Sequence, residues 1–168
     1  MNNIKKAYLE LHVAVLLFGF TAILGDLIQL SAVMIVWWRV LITCISLLYF
    51  IQFGIKLRSI PRDKIFKFLG IGVLVALHWI TFYGAIKLSN ASVALICFAS
   101  TSLFTSFLEP AILGRPIEKL QVMMGLMIIP GMWLIVNTVN PAMINGIYVG
   151  LLSALLAAIF STLNKRLI

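Results

Sequence analysis

Acidic side chains are scarce in this chain of 168 residues, which contains only five aspartates and glutamates. Three of them, Glu10, Asp26 and Glu109, lie near the ends of long apolar segments rather than in their middle. The sequence therefore lacks the unpaired acidic group at mid-membrane depth that an exporter of cationic drugs would need.

Cysteine is rarer still, since Cys44 and Cys97 are the only two and both lie within apolar segments. Such thiols behave as small apolar side chains, so neither a disulfide framework nor a metal site is predicted. A glycine-rich phosphate loop and a Ser/His/Asp arrangement in a polar frame are also missing. We therefore predict a protein that is not an enzyme, has no cofactor and does not itself hydrolyse ATP.

Apolar residues, in contrast, make up 62% of the chain, and charged residues only 11%. A soluble domain of this length needs more polar surface, whereas about 20 apolar residues suffice for a helix to cross a bilayer. The predicted fold is therefore all-α: a polytopic transmembrane bundle of six helices embedded in lipid. The predicted helices are 11–28, 31–53, 65–86, 89–109, 119–137 and 147–163.

Basic residues give the chain a formal net charge of +8, but they lie in short connections rather than on one clustered face. Nucleic-acid binding is therefore not predicted. Eleven of them lie at alternate ends of the helices, whereas only Lys87 lies at the opposite ends and Arg39 lies inside a helix. The eleven are Lys5, Lys6, Lys56, Arg58, Arg62, Lys64, Lys67, Arg115, Lys119, Lys165 and Arg166. The positive-inside rule then predicts a multi-pass protein of the cytoplasmic (inner) membrane with both termini inside.

The first and last predicted helices are related by a shift of 140 positions. The shift aligns Tyr8/Tyr148, Leu11/Leu151, Ala14/Ala154, Leu16/Leu156, Phe20/Phe160, Leu27/Leu167 and Ile28/Ile168. These two helices cross the membrane in opposite directions, so a repeat of five helices would be inverted, as in many secondary transporters. We predict that residues 1–138 form a first five-helix repeat and that residues 139–168 hold a loop and the first helix of a second.

Four stretches of the chain together resemble the EamA-type members of the drug/metabolite transporter superfamily. They are WWRVLITCISLLYF, FYGAIKLSNASVALICFASTSLFTSFLEP, LGRPIEKLQVMMGLMIIPGMWLIV and GLLSALLAAIFSTLNKRL. The resemblance implies a permease that moves small metabolites, such as amino acids or other amphipathic solutes, by alternating access. Without an ATP site, it would depend on a gradient or on exchange.

The chain also departs from the family pattern. Thr101 and Ser102 stand where the family often has a proline, so the sequence does not decide whether the fourth helix is broken at this point. Arg115 stands where a glutamate is common in the family. Family members usually have ten helices, so the resemblance implies either a truncated chain or assembly with another membrane chain that supplies the second repeat. The alternatives are a small multidrug-type exporter and a non-transporting membrane subunit or remnant.

Arg39 is the charged residue that lies deepest in a predicted helix, about 12 Å from the outer surface at ~1.5 Å per residue. Such a charge must face the bundle interior or a wet cavity. One interpretation is an anion or carboxylate site with Trp37 or Trp38 beside it. The other is a structural ion pair with Asp26.

The third and fourth predicted helices carry the other candidates for a solute cavity. Trp79, Tyr83 and Lys87 are spaced four residues apart and share one helix face, although Lys87 is better explained as an interfacial anchor. His78 could relay protons or hydrogen-bond a neighbouring helix. Thr101 belongs to a ladder of hydroxyls that could line a path or bond its own helix. The predicted cavity residues are Arg39, Trp38, His78, Trp79, Tyr83 and Thr101.

Three local features complete the predictions. Pro110 to Pro116 is expected to end the fourth helix, and Pro130 with Gly131 to bend the fifth. Glu109 is expected to form a loop-side ion pair with Arg115 or Lys119.

Overall fold

The computed structural model of the protein describes residues 3–50, 61–136 and 140–167, and all regular structure in these ranges is helical. The helices are α1 (Asn3–Leu27), α2 (Ala32–Phe50), α3 (Arg62–Leu88), α4 (Ala91–Ala99), α5 (Thr101–Leu113), α6 (Lys119–Leu126), α7 (Ile128–Val136) and α8 (Ile144–Leu167), which follows a 3-10 turn at Pro141–Met143. Since α4 continues into α5 and α6 into α7, the described ranges form six helical segments.

Five of these segments are long and apolar enough to cross a bilayer, and Lys119–Leu134 is a shorter apolar one. Large apolar side chains on α1 and α2 point outward: Leu16 and Leu48, for example, are 63% and 60% exposed. Such surfaces are stable in lipid but not in water. The prediction of an all-α membrane bundle of six helices is confirmed. The predicted ends at residues 53 and 137 lie outside the described residues.

The fourth segment breaks at Ser100, between α4 and α5, although it has no proline there. The hydroxyl of Thr101 donates to the carbonyl of Phe98 at 2.6 Å, and that of Ser102 to Ala99 at 3.1 Å. Hydroxyls that bond the carbonyl of the preceding turn are known to disturb helices. The break therefore exists, and side-chain hydroxyls accompany it where the family often has a proline.

The fourth segment ends inside the stretch Pro110 to Pro116, as predicted, but four residues past the predicted helix end at residue 109. Pro110 itself lies inside α5, which continues to Leu113 and ends at Gly114 with a left-handed φ of 67°. A proline so close to a helix end removes only one backbone hydrogen bond, and glycine adopts the left-handed cap without strain. The interruption in the fifth segment lies at Met127, between α6 and α7, three residues before Pro130. Pro130 cannot donate to the carbonyl one turn earlier, at Leu126.

The core forms where α8 packs antiparallel along α3 and also contacts α4 and α5. The packed side of α8 carries small residues, which let helices approach closely. They include Gly146, Gly150, Ser153, Ala154, Ala157 and Ala158. A Cβ atom on Gly146 would lie 2.7 Å from Cβ of Ser89, and one on Gly150 would lie 2.7 Å from Cβ of Cys97. The backbone of α8 is therefore held against α3 and α4.

Polar contacts tie the helices together at both ends of the bundle. At one end, Lys87 donates to the backbone oxygens of Ile28 at 2.5 Å and Asp26 at 3.4 Å. At the other, Glu109 of α5 forms an ion pair with Lys165 of α8. The predicted partners of Glu109, in its own loop, were wrong, because the end of α8 lies closer to its carboxylate than that loop does.

Exchanging the charges of Glu109 and Lys165 tests this contact. Glu109→Lys and Lys165→Glu are each expected to lower the free energy of unfolding by about 0.5–1 kcal/mol, because each places like charges together at a partly exposed site. The double variant should recover most of that loss when unfolding is measured in detergent micelles. The same exchange at Lys6 and Glu10, whose side chains are 65% and 67% exposed in their ion pair, should have a smaller effect. Additive losses in the double variant would contradict the contact.

Candidate functional site

Arg39 lies on the aromatic face of α3. Its guanidinium carbon is 3.7 Å from the centroid of the Trp79 ring, and Nη1 donates to the hydroxyl of Tyr83 at 3.1 Å. Trp79 and Tyr83 are one helical turn apart, and their rings stack with centroids 5.8 Å apart and planes inclined by 26°. We call these three side chains the Arg39 cluster.

The predicted alternative for Arg39, an ion pair with Asp26, is wrong. Within the described residues, no carboxylate oxygen lies within 4 Å of the Arg39 guanidinium. The aspartate lies in the last turn of α1, where its backbone oxygen accepts from Lys87. Arg39 is two turns along α2 and is directed to the middle of α3 instead, so its guanidinium contacts a ring face and a phenol hydroxyl, both of them neutral.

Gly25 makes room for the cluster, although it was not among the predicted cavity residues. A Cβ atom at Gly25 would lie 2.5 Å from Cε1 and 2.7 Å from Cδ1 of Tyr83. The Tyr83 ring, which is 3% exposed, therefore packs directly on the backbone of α1. A glycine inside an apolar helix was the available signal, but only the helix packing shows which ring it faces.

Three cavities meet at the cluster. The aromatic cavity, about 140 Å³, is bordered by Phe18, Thr21, His78, Trp79, Phe82, Leu95, Phe98 and Phe160. The α1–α2 cavity, about 290 Å³, includes Thr21, Gly25, Trp38, Arg39 and Tyr83 in its lining. The α2–α3 cavity, about 380 Å³, includes Arg39, Thr43, Gly72 and Trp79. Arg39 is thus shared by the two larger cavities, and Trp79 by the aromatic and α2–α3 cavities.

His78 joins α3 to α8 beneath the aromatic cavity. Its Nδ1 lies 3.0 Å from both the backbone oxygen and the hydroxyl of Ser153, and that hydroxyl donates to the backbone oxygen of His78 at 3.1 Å. The imidazole is buried and lies 5.3 Å from Phe98 and 5.5 Å from Phe160, centroid to centroid. His78 therefore has a hydrogen-bonding partner on a neighbouring helix, as one of its two interpretations expected.

The structure brings five of the six predicted cavity residues together and leaves one outside. Trp38 is 48% exposed, lines the α1–α2 cavity and meets Trp37 edge-on with centroids 5.0 Å apart. Thr101 lines none of the three cavities, because its hydroxyl is turned to its own helix. Its place in a solute path stays a prediction. Phe18, Phe98 and Phe160 border the aromatic cavity without having been predicted to do so.

Comparison with known proteins gives one family match. A model of the EamA-like transporter family matches residues 5–137, which span α1 to α7. Searches of curated proteins and of solved structures found no match. The family match agrees with the resemblance found in the sequence.

Proposed function

Because the chain belongs to the EamA-like transporter family, we propose that it moves small amino-acid-like or amphipathic metabolites by alternating access across the cytoplasmic membrane. Both termini lie on the cytoplasmic side in this proposal, as the distribution of basic residues predicts. Transport is driven by a solute or ion gradient, or by exchange. The family and the five long apolar helices establish a multi-pass membrane transporter; the solute class, the membrane and the coupling are proposed.

The observation that carries the proposal is the Arg39 cluster at the junction of three cavities. Sites for small molecules combine apolar walls with a few placed polar groups. Here Trp79 and Tyr83 supply rings with polar tips, and Arg39 supplies hydrogen-bond donors about 10 Å along α2 from its first residue, Ala32, at ~1.5 Å per residue. We assign Arg39, Trp38, His78, Trp79 and Tyr83 to the solute cavity.

Export of cationic drugs is the less favoured alternative. The charged side chain of the cluster is a cation, which would repel such solutes. Neither aspartate nor glutamate lines the aromatic, α1–α2 or α2–α3 cavity. The site therefore favours neutral, zwitterionic or anionic solutes.

The repeat organisation is part of the proposal. We assign residues 1–138 to a first five-helix repeat and residues 139–168 to the loop and first helix of a second. The shift of 140 positions that aligns residues of α1 with residues of α8 supports this assignment. Further helices of the second repeat, from the same chain or from another membrane chain, would face α1 and α2. They would close the α1–α2 and α2–α3 cavities.

The test is solute accumulation in cells that express the chain, followed by counterflow in proteoliposomes. Expression should change the accumulation of at least one labelled amino-acid-like solute. Trp79→Ala should reduce that change by about tenfold, a loss of ~1.4 kcal/mol in solute binding. The matched control is Trp133→Ala, since Trp133 is 66% exposed and borders none of the three cavities.

Equal transport by the two tryptophan variants, each inserted at the wild-type level, would contradict the assigned cavity. A fully inserted wild-type chain that moves no solute in cells would favour a membrane subunit without transport of its own. Counterflow with the purified chain then separates a self-sufficient carrier from one that needs further helices.

A further inference from the structure

We infer that the solute is a monocarboxylate with one compact apolar group, held by the guanidinium of Arg39 and by the aromatic cavity. This inference rests on the proposed function, because it takes the three cavities as the solute site. It adds the chemical class of the ligand, which neither the family nor the cavity residues alone specify.

The donors of Arg39 are mostly unused by the protein. A guanidinium has five N–H donors, and in the described residues a single one is directed at a protein acceptor, the Tyr83 hydroxyl. That acceptor is neutral, and the described residues place no carboxylate within 4 Å of the guanidinium. A cation at this depth is stabilised most by an anion that accepts two of its parallel N–H groups, as a carboxylate does.

The guanidinium is held in place before a ligand arrives. Stacking on Trp79 at 3.7 Å and the hydrogen bond to Tyr83 fix the plane of the group. Because Arg39 borders both larger cavities, its remaining donors can be reached through the α1–α2 or the α2–α3 cavity. Little conformational entropy is then lost when an anion binds, which favours affinity.

The ligand should carry one negative charge rather than two. Arg39 is the sole lysine or arginine that borders any of these three cavities. Lys87, the basic residue nearest to the cluster along α3, is occupied by backbone oxygens of Ile28 and Asp26 at the helix end. A phosphate dianion at this depth would remain half neutralised, whereas a carboxylate is matched by one guanidinium.

The aromatic cavity supplies the second half of the site. Most of its lining is aromatic or aliphatic, and two of its polar side chains already have partners: His78 contacts Ser153, and the Thr21 hydroxyl donates to the Leu17 carbonyl at 3.1 Å. Its volume of about 140 Å³ is close to the ~150 Å³ of an apolar cavity that stays dry and binds benzene. Its volume therefore matches an apolar group of the size of a phenyl ring, and Trp79 borders both this cavity and the α2–α3 cavity that Arg39 lines.

Equilibrium binding to the full chain in lipid nanodiscs tests both parts of the site, the guanidinium of Arg39 and the aromatic cavity. Labelled phenylacetate should bind, and unlabelled phenylacetate should displace it at least about tenfold more effectively than phenylacetamide or phenethylamine. Displacement by 2-naphthylacetate should be weaker than by phenylacetate, because its two fused rings exceed the aromatic cavity. Arg39→Gln should bring phenylacetate and phenylacetamide to within about twofold. Lys119→Gln removes one exposed positive charge away from the cavities and should leave the preference unchanged.

Equal binding of phenylacetate and its amide to the wild-type chain would overturn the carboxylate site, and this readout does not require the Arg39 variant to fold. Equal binding of phenylacetate and 2-naphthylacetate would overturn the role of the aromatic cavity. Transport of neutral solutes alone, without binding of phenylacetate, would overturn the inference and leave the proposed function intact. Binding that depends on Arg39, in a chain that transports nothing in cells, would support the site and contradict the proposed function.

Discussion

A Gly150→Leu variant is expected to lose about 2–3 kcal/mol of stability or more, because the helix interface at this position has no room for a side chain. A Cβ atom there would already lie 2.7 Å from Cβ and 3.2 Å from Sγ of Cys97, and 3.5 Å from Cβ of Ala85. Leucine would force α8 away from α3 and α4 together. Since those contacts form the core, neighbouring small-residue contacts would open as well.

The control for this substitution is Gly70→Leu in α3. A Cβ atom at Gly70 meets nothing within 4 Å in the part of the chain that the structure describes, so leucine there should project into lipid. Both variants gain the same helix propensity from the loss of glycine. Unfolding in mixed micelles, followed by circular dichroism, should separate them clearly. If both variants unfold like the wild type, the close packing of α8 is wrong.

Replacing His78 with alanine is expected to have an effect of similar size, a loss of about 2–4 kcal/mol. The imidazole is buried, and its Nδ1 lies within hydrogen-bonding distance of two oxygens of Ser153. Alanine removes this link between α3 and α8 and enlarges the aromatic cavity from about 140 Å³. The cost therefore combines lost hydrogen bonding with lost packing against Phe98 and Phe160.

His12→Ala is the matched control, because the only other histidine of the chain is exposed and contacts the carbonyl of Tyr8 in its own helix at 2.7 Å. It should change stability by less than about 0.5 kcal/mol. A double-mutant cycle of His78→Ala with Ser153→Ala should show coupling of about 1 kcal/mol, since the two residues share their hydrogen bonds. Strictly additive losses would show that the two side chains do not support each other.

The helical segments were predictable because each depends only on the length and hydrophobicity of one apolar stretch of the sequence. A bilayer requires about 20 apolar residues and satisfied backbone groups, which only a helix provides within one segment. The ends were less predictable. α1 begins at Asn3 rather than at residue 11, and α5 continues through Pro110 to Leu113. Backbone hydrogen bonding carries a helix past the apolar stretch that predicts it, and one proline near the end does not stop it.

The partners of charged side chains could not be predicted. Asp26 was a reasonable neighbour for Arg39 along the chain, yet Arg39 contacts Trp79 and Tyr83 instead. Arg115 and Lys119 were likewise reasonable partners for Glu109, which instead pairs with Lys165 on the adjacent helix α8. Each partner depends on which helices are adjacent and how they are rotated, and that information is not contained in the hydrophobic pattern of a single helix.

The sequence by itself determined that this chain forms a membrane bundle of six helical segments and that Trp79 and Tyr83 share a face, because hydrophobic length and helical spacing are local properties. Only the tertiary structure decided that this face meets Arg39, that Gly25 seats the Tyr83 ring, and that Thr101 turns away from the cavities. The close approach of α8 to α3 and α4 through small residues fixes how these helices are rotated, and the rotation of α3 sets the direction of its aromatic face.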